Sequence, residues 1–318
     1  MAQKEIYDVV IIGGGPAGLA AGIYVKRAAM DAVLVEKGVP GGQVCITKGV
    51  ENYPGIADIS GFDLSDKFYQ HAKSYDLETI PDEVTAVEPG SELHSVRLAG
   101  GEVLKARSVI IAAGGTAKKL NVPGEIENFG KGVSYCATCD GFFFRGKVVC
   151  VIGGGDTALE DALYLAKIAK HVYLIHRRDE FRGSKILQQR VFSEPSVEII
   201  FNTVPTSILS DPFGVRAVAL QNTVTGDTKE LPVEGVFIFV GFSPNSVLAP
   251  EGMKISESGY ILTDEKLETS IPGIFCAGDL RQNFAKQIVI AASEGCIAAL
   301  ASARYVEEKK ARGHLKTA

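Results

Sequence analysis

The sequence predicts an α/β fold that contains one βαβ unit twice. Three observations carry this expectation. Short apolar runs at Tyr7–Ile12 and Lys147–Ile152 each enter a glycine-rich turn, Gly13-Gly14-Gly15-Pro16-Ala17-Gly18 and Gly153-Gly154-Gly155-Asp156-Thr157-Ala158. Each turn leads into a stretch of helical periodicity and then into a second apolar run, the signature of strand, helix and parallel strand. The registers agree, because as many positions separate Gly13 from Glu36 as separate Gly153 from His176.

Taken in order, Tyr7–Ile12 is read as a strand, Leu19–Met30 as a helix with small residues on its packing face, and Ala32–Glu36 as the second strand. A hairpin is expected over Ser95–Leu104 around Gly100-Gly101, followed by the apolar strand SVIIAAGG. The second copy is read as strand Lys147–Ile152, helix Leu159–Ala169 and strand His171–His176. A hairpin over Val215–Leu231 around Thr225-Gly226-Asp227 follows, and then the apolar strand GVFIFVGFSPN. The charged tail after Ala303 is expected to be a helix that frays. Repetition at this distance marks a duplicated functional unit rather than a short-period solenoid.

Composition bounds the function. The chain has 318 residues, 46% of them hydrophobic and 22% charged, enough for two compact domains or one large one. A formal net charge of −5 supplies no general basic field, which argues against nucleic acid as the main partner. No segment reads as long and apolar enough to span a bilayer, so no membrane partner is expected. The start, MAQKEIYD, lacks the basic and apolar regions of a secretion signal, and the expected compartment is a reducing cytoplasm. Six cysteines in this length do not make a disulfide scaffold. Cys150, Cys276 and Cys296 lie in apolar runs and are read as buried small hydrophobes; whether Cys45, in GGQVCIT, touches chemistry stays open.

The first turn is a full GxGxxG between strand and helix. Gly13, Gly15 and Gly18 permit a tight turn and close backbone approach to a pyrophosphate on the helix N-terminus, with Pro16 and Ala17 between them. Glu36, at the end of the second strand, is placed to accept ribose hydroxyls. The second turn uses Gly153, Gly155, Asp156, Thr157 and Ala158, but the position equivalent to Glu36 holds His176, followed by Arg177 and Arg178, with Arg182 nearby. Such a run elsewhere reads as a solvated strand end. At the ribose position of a dinucleotide fold, guanidinium groups select a 2′-phosphate through charge-assisted hydrogen bonds. The first site is therefore expected to take a nucleotide without a 2′-phosphate, and the second NADP(H).

Between the two signatures lies Cys136-Ala137-Thr138-Cys139-Asp140. Two thiols at this spacing can close a disulfide or grip half of a metal site. Gly132–Lys147 supplies no His and no third Cys, so a redox-active dithiol is the better reading and no metal site is assigned. Asp140 is the best candidate for proton exchange with the dithiol; its other reading is a helix or turn cap, and the two roles are compatible.

With GGGPAGLAA, PGGQ, ENYPG, CATCD, GGGDTALEDALYL, HRRDEFR and AGD in order, the chain resembles the low-molecular-weight, bacterial-type thioredoxin reductases of the class II pyridine nucleotide-disulfide oxidoreductases. The resemblance covers nearly the whole length. It implies two nested Rossmann-like domains: an FAD domain formed by residues 1–115 and 243–318, and an inserted NADPH domain, 116–242, carrying the CxxC. It implies FAD contacts from Gly13, Gly15, Pro16, Ala17, Gly18, Glu36, Gly42, Gln43, Thr47, Asn52, Val84, Gly278, Asp279, Lys286, Gln287 and Ile288. It also implies that electrons pass from NADPH through FAD to Cys136–Cys139 and then to the disulfide of thioredoxin, in a homodimer. Cys139 would face the flavin and Cys136 would attack the partner, with the two domains rotating through the crossings near Gly114-Gly115 and Gly241–Asn245. Three positions depart from the family pattern, namely Lys286 for Arg, Ala113 for Thr and Phe242 for His.

Three other readings fit the sequence less well. A flavin dithiol oxidase would not need Arg177, Arg178 and Arg182. A related enzyme drawing on NADH or ferredoxin sits poorly with intact GGGDTA and HRR segments. A non-enzymatic redox sensor has only the expected domain motion behind it.

Overall fold

The computed structural model of the chain describes residues 6–47 and 49–316. It divides into two compact units, one formed by Met1–Thr116 with Ser243–Ala318, the other by Ala117–Phe242.

The first unit begins with β1 (Tyr7–Ile12), α1 (Pro16–Arg27), β2 (Ala32–Val35), α2 (Gly61–Lys73) and β3 (Glu78–Ile80). It continues through β4 (Val84–Glu88), β5 (His94–Leu98) and β6 (Val103–Ile111). α1 starts inside the segment expected to be a turn, and it ends before Met30. Gly15 is its N-cap and Pro16 its first residue, where the fixed φ of proline suits a helix and the missing N–H costs nothing. Ala29, at φ 55°, stops it. The expected hairpin is present as β5 with the start of β6, and β6 runs on without a break into the apolar SVII strand.

The chain passes between units at β7 (Gly115–Ala117). The second unit then holds β8 (Val133–Ser134), α3 (Ala137–Asp140), β9 (Val148–Gly153), α4 (Asp156–Ala166), β10 (His171–Ile175), α5 (Lys185–Phe192) and β11 (Val197–Ile200). β12 (Thr203–Asp211), β13 (Gly214–Asn222), β14 (Thr228–Pro232) and β15 (Gly235–Phe239) complete it. α4, like α1, begins within the glycine turn, with Gly155 as N-cap. Unlike its counterpart β6, the apolar strand β15 is separate from the hairpin before it. β12, β13 and β14 form their own antiparallel sheet, whereas β15 joins a parallel sheet of order β11-β10-β9-β15-β8.

The return passage is β16 (Phe242–Pro244), paired with β7 in a two-stranded ribbon. β17 (Ile274–Cys276) and α6 (Ile288–Lys316) close the first unit. Its sheet runs β3-β2-β1-β6-β5-β4, with β17 pairing β6 in parallel.

The parallel strands of both sheets are covered on two faces, which explains why they read as continuous apolar runs. In β1, Val9 and Ile11 pack with α1 and α6, while Val10 and Ile12 belong to the core beneath. In β9, Val149 and Val151 pack with α4, and Cys150 and Ile152 face the core shared with the antiparallel sheet.

Two expectations are corrected at α6. Ile288–Ala311 contains a stretch of mean hydropathy 1.3 and is long and apolar enough by length and composition to cross a bilayer. Its Ala298, Ala299, Ala303 and Val306 are instead buried in the core of the first unit. The tail beyond Ala303 is also tied down rather than frayed through Lys310. Lys309 Nζ donates to Ser91 O at 2.5 Å, and Lys310 Nζ lies 2.8 Å from Asp8.

Candidate functional site

In the first unit, the glycine turn places Gly15 at the N-terminus of α1 with no side-chain cap on that end. A Cβ at Gly15 would meet open space, so the free N–H groups face a gap with room for a phosphate. Glu36 holds the turn's far side. Its Oε2 accepts from Gly14 N at 2.6 Å and its Oε1 from Gly38 N at 2.8 Å.

The structure gathers most of the other implied residues here. Gly42 lies against Gly15, where a Cβ would come 3.2 Å from Gly15 Cα. Thr47 Oγ1 donates to Gln43 O at 3.2 Å. Asn52 Nδ2 donates to Gln287 Oε1 at 3.3 Å, joining two segments far apart in sequence next to Ile288 at the start of α6. Gly278 approaches Ala17, and its N–H donates to buried Glu294 Oε2 at 2.7 Å. Val84 is different: its side chain is buried in the sheet core, which leaves only its backbone to offer a contact.

Asp279 is half-buried, and burial raises its carboxyl pKa while Lys286 opposes the rise. Lys286 is engaged with protein. Its Nζ donates to Asp279 O at 3.0 Å and to Arg281 O at 2.9 Å, and sits 4.4 Å from the centre of the Tyr260 ring. Beside it, Arg281 Nη1 donates to Glu294 Oε1 at 2.6 Å. Sequence reasoning missed Glu294, Arg281 and Tyr260, because only the folded turn makes them neighbours. Of the other departures, Ala113 lends its carbonyl to Asn245 Nδ2 at 2.7 Å, and Phe242 lies in β16.

In the second unit, Gly155 likewise caps α4 without a side-chain bond, and a Cβ there would meet open space. Ala158 is buried, and Thr157 is exposed on the first turn of the helix. Asp156 Oδ1 accepts from Ser184 N at 2.6 Å, and Arg182 N donates to Gly154 O at 2.8 Å, so the loop after β10 folds onto the glycine turn. Arg177, Arg178 and Arg182 are exposed there. His176 is buried, its ring filling the space that a Cβ at Gly154 would need. Burial holds its pKa below the ordinary value, with the backbone at Gly153 and Glu180 opposing and Arg182 and Arg177 adding to the depression. The imidazole thus supports the turn, and the exposed cations on this loop are the arginines.

The dithiol stands in the same unit. Cys136 and Cys139 form a disulfide with Cα atoms 5.3 Å apart, both half-buried at α3. Cys136, not Asp140, caps the helix, its Sγ accepting from Cys139 N at 3.2 Å. Asp140 makes no capping bond. Its Oδ2 accepts instead from Ser134 Oγ at 2.5 Å. Burial raises the Asp140 pKa and the Ser134 hydroxyl offsets part of the rise. Ala137 is fully buried against α4, while Phe142 and Phe143, just beyond Asp140, are exposed.

Of the remaining cysteines, Cys150 and Cys276 are fully buried, and burial pushes both thiols far up. Cys296 corrects its expectation, being half-buried on α6 with Tyr24 as a neighbour. Cys45 is half-buried in the 3-10 turn Gly42–Ile46. Among the described residues, no group of three or more His, Cys, Asp and Glu could hold a metal ion.

The arrangement comprises two helix N-termini shaped for phosphate and a disulfide with an adjoining protonatable carboxyl. A family model for pyridine nucleotide-disulphide oxidoreductases matches residues 7–295. The chain is 45% identical over 308 residues to a thioredoxin reductase of Bacillus subtilis (strain 168), covering 97% of each. It is 45% identical over 310 residues to a thioredoxin reductase of Helicobacter pylori (strain J99 / ATCC 700824), covering 94% of this chain and 99% of that protein. The crystal structure of thioredoxin reductase from Streptococcus pyogenes MGAS5005 matches with a TM-score of 0.92 at 40% identity, covering 96% of this chain and all of that one.

Proposed function

The chain belongs to the pyridine nucleotide-disulphide oxidoreductases, and within that family we propose that it acts as an NADPH-dependent thioredoxin-disulfide reductase. The observation that carries the reading is the Cys136–Cys139 disulfide with Asp140 beside it, in the same unit as a glycine turn flanked by arginines. It is a flavoprotein. Bound FAD would supply the two-electron chemistry that links NADPH to the disulfide.

The residues divide the work. The N-terminus of α1 would hold the pyrophosphate of FAD, Glu36 would accept from the adenosine ribose, and Asp279 would accept from the ribityl chain. Gly15 and Gly42 keep side chains out of that space. At the second turn, Arg177, Arg178 and Arg182 select the 2′-phosphate of NADPH, where a carboxylate would repel it. In the reduced protein, Cys136 attacks the partner disulfide, Cys139 resolves the mixed disulfide, and Asp140 holds the proton that thiolate formation releases. Exposed Phe142 and Phe143 offer the partner an apolar contact next to the reacting sulfurs.

The finer reading of the assembly is a homodimer working in the cytoplasm. Tyr24 on α1 and Ile297 and Leu300 on α6 are exposed apolar side chains on the first unit, suited to a second copy. Sedimentation of the holoenzyme at micromolar concentration tests it, and a monomer would refute it.

Stopped-flow mixing tests the function. Oxidised protein should lose its flavin absorbance rapidly with NADPH and much more slowly with NADH, and should regain it on addition of thioredoxin. Cys136→Ser and Cys139→Ser should abolish that recovery. Equal rates with both nucleotides, or recovery in either variant, would refute the assignment.

A further inference from the structure

Ser134 ends β8, a strand of two residues, and its side chain is buried at 2% exposure. Its Oγ lies 2.5 Å from Asp140 Oδ2, 3.0 Å from Cys136 N and 3.2 Å from Cys136 O. A hydroxyl has one hydrogen and two lone pairs. The Cys136 N–H occupies one lone pair, which leaves one hydrogen for two acceptors, the Asp140 carboxyl and the Cys136 carbonyl.

We propose that Ser134 is a positioning residue for proton exchange at the Cys136–Cys139 pair, its hydroxyl hydrogen passing between Asp140 and the Cys136 carbonyl. The proposal rests on the reading of Asp140 as the proton acceptor of the dithiol. With Asp140 ionised, the shorter, charge-assisted bond takes the hydrogen. The Cys136 carbonyl then loses the Ser134 hydrogen and keeps the N–H of Asp140, at 3.2 Å. With Asp140 protonated, the carboxyl brings its own hydrogen and donates to the second lone pair of Ser134. The Ser134 hydrogen is then free for the Cys136 carbonyl. Each state of Asp140 therefore leaves a different bond on the backbone of the residue that bears the attacking sulfur.

The proton count closes over one turnover. The Asp140 carboxylate takes the proton of the Cys136 thiol, and the thiolate attacks the partner disulfide. A Cys136–partner bond forms, one partner sulfur leaves as thiolate, and it receives the proton from Asp140. Cys139 then displaces the second partner sulfur, its own proton passing to that leaving thiolate. Two electrons and two protons leave with the partner, and the Cys136–Cys139 bond is restored.

The groups around Asp140 leave Ser134 as its polar partner. α4, which packs against α3, carries Glu160, Asp161 and Tyr164; Asp161 is itself pushed up to about 7, first by burial and then by Glu160. The Tyr164 ring lies beside Gly141, where an added Cβ would come 3.1 Å from its Cε1. From the segment that follows β8, the Tyr135 hydroxyl donates to Glu125 Oε1 at 2.7 Å. Arg145, at the end of the turn, lies over the exposed Phe142 ring. Only burial and the Ser134 hydroxyl move the Asp140 carboxyl from its ordinary range.

Holoenzyme carrying Ser134→Ala, Ser134→Thr or Asp140→Asn provides the test. Two profiles are measured from about pH 5.5 to about pH 9: the rate constant for thioredoxin reduction, and the iodoacetamide alkylation of the reduced dithiol read by mass spectrometry. Ser134→Ala should lose about tenfold in rate at the acid end and little at the alkaline end, its acid limb moving to higher pH. Ser134→Thr should restore the limb. Asp140→Asn should lose about a hundredfold or more and have no such limb. If Ser134→Ala overlays wild type in both profiles while Asp140→Asn loses the limb, the role of Ser134 is refuted. A uniform loss in Ser134→Ala at every pH also refutes it, and the alkylation profile decides this even where the Thr variant does not fold. An acid limb that survives in Asp140→Asn refutes the underlying reading of Asp140 instead.

Discussion

The Glu36 carboxylate accepts the backbone N–H of Gly14 at 2.6 Å, so the end of β2 holds the glycine turn that follows β1. One side chain thereby serves two purposes, shaping the turn and presenting an acceptor beside it. Glu36→Ala should weaken FAD binding by about tenfold to a hundredfold, since both a charged hydrogen bond and the turn's support are lost. Fluorescence titration of apoprotein with FAD measures this. NADPH binding at the second turn should stay unchanged, and a parallel loss there would mean general unfolding.

At the second turn the equivalent position holds His176, whose ring is buried under Gly154, with Arg177 and Arg178 exposed beyond it. Replacing both arginines by Ala removes the charge-assisted contacts to a 2′-phosphate. The KM for NADPH should rise about thirtyfold or more, with kcat at saturation and the KM for NADH nearly unchanged. Steady-state kinetics with the two nucleotides settle the matter. An equal rise for both would indicate damage to the turn rather than lost selectivity.

Lys286 donates to the carbonyls of Asp279 and Arg281. Burial lowers its pKa, with Asp279 and Glu294 opposing, yet two of its donors are spent on the turn that presents Asp279. Lys286→Met should release that turn and weaken FAD retention by about tenfold, seen as flavin lost on gel filtration at low concentration. Retention equal to wild type would show that the turn stands without the clamp.

These three sites differ in how far the sequence exposes them. The glycine turns and the acid or arginines at the second strand were legible because strand, turn and helix fix their spacing. Helix starts were misplaced, since Gly15-Pro16 reads as a turn although proline belongs in a first helical turn. The clamp on Lys286 was hidden, because its acceptors are backbone carbonyls that the side chain meets only in the folded turn. The bond between Asn52 and Gln287 joins residues 235 positions apart, and nothing local announces it. Ser134 is not legible in the sequence, because its value lies in one buried hydroxyl shared between near neighbours.

His94 on β5 carries a consequence for stability outside the candidate site. It is 1% exposed, its Nδ1 accepts from Gly90 N at 3.3 Å, and burial, then Lys309, lowers its pKa to about 4. In the unfolded chain a histidine titrates near about 6.5. The folded state therefore binds fewer protons than the unfolded state between these values, and stability falls as the pH drops through that window. Above it the contribution is complete. The shift corresponds to about 3 kcal/mol at most, withdrawn gradually as pH falls. His94→Gln keeps a polar group but cannot titrate, so its melting temperature should decline less steeply than that of wild type between about pH 7 and pH 4.5. Parallel declines in thermal melts of the two proteins would assign the acid sensitivity to other groups.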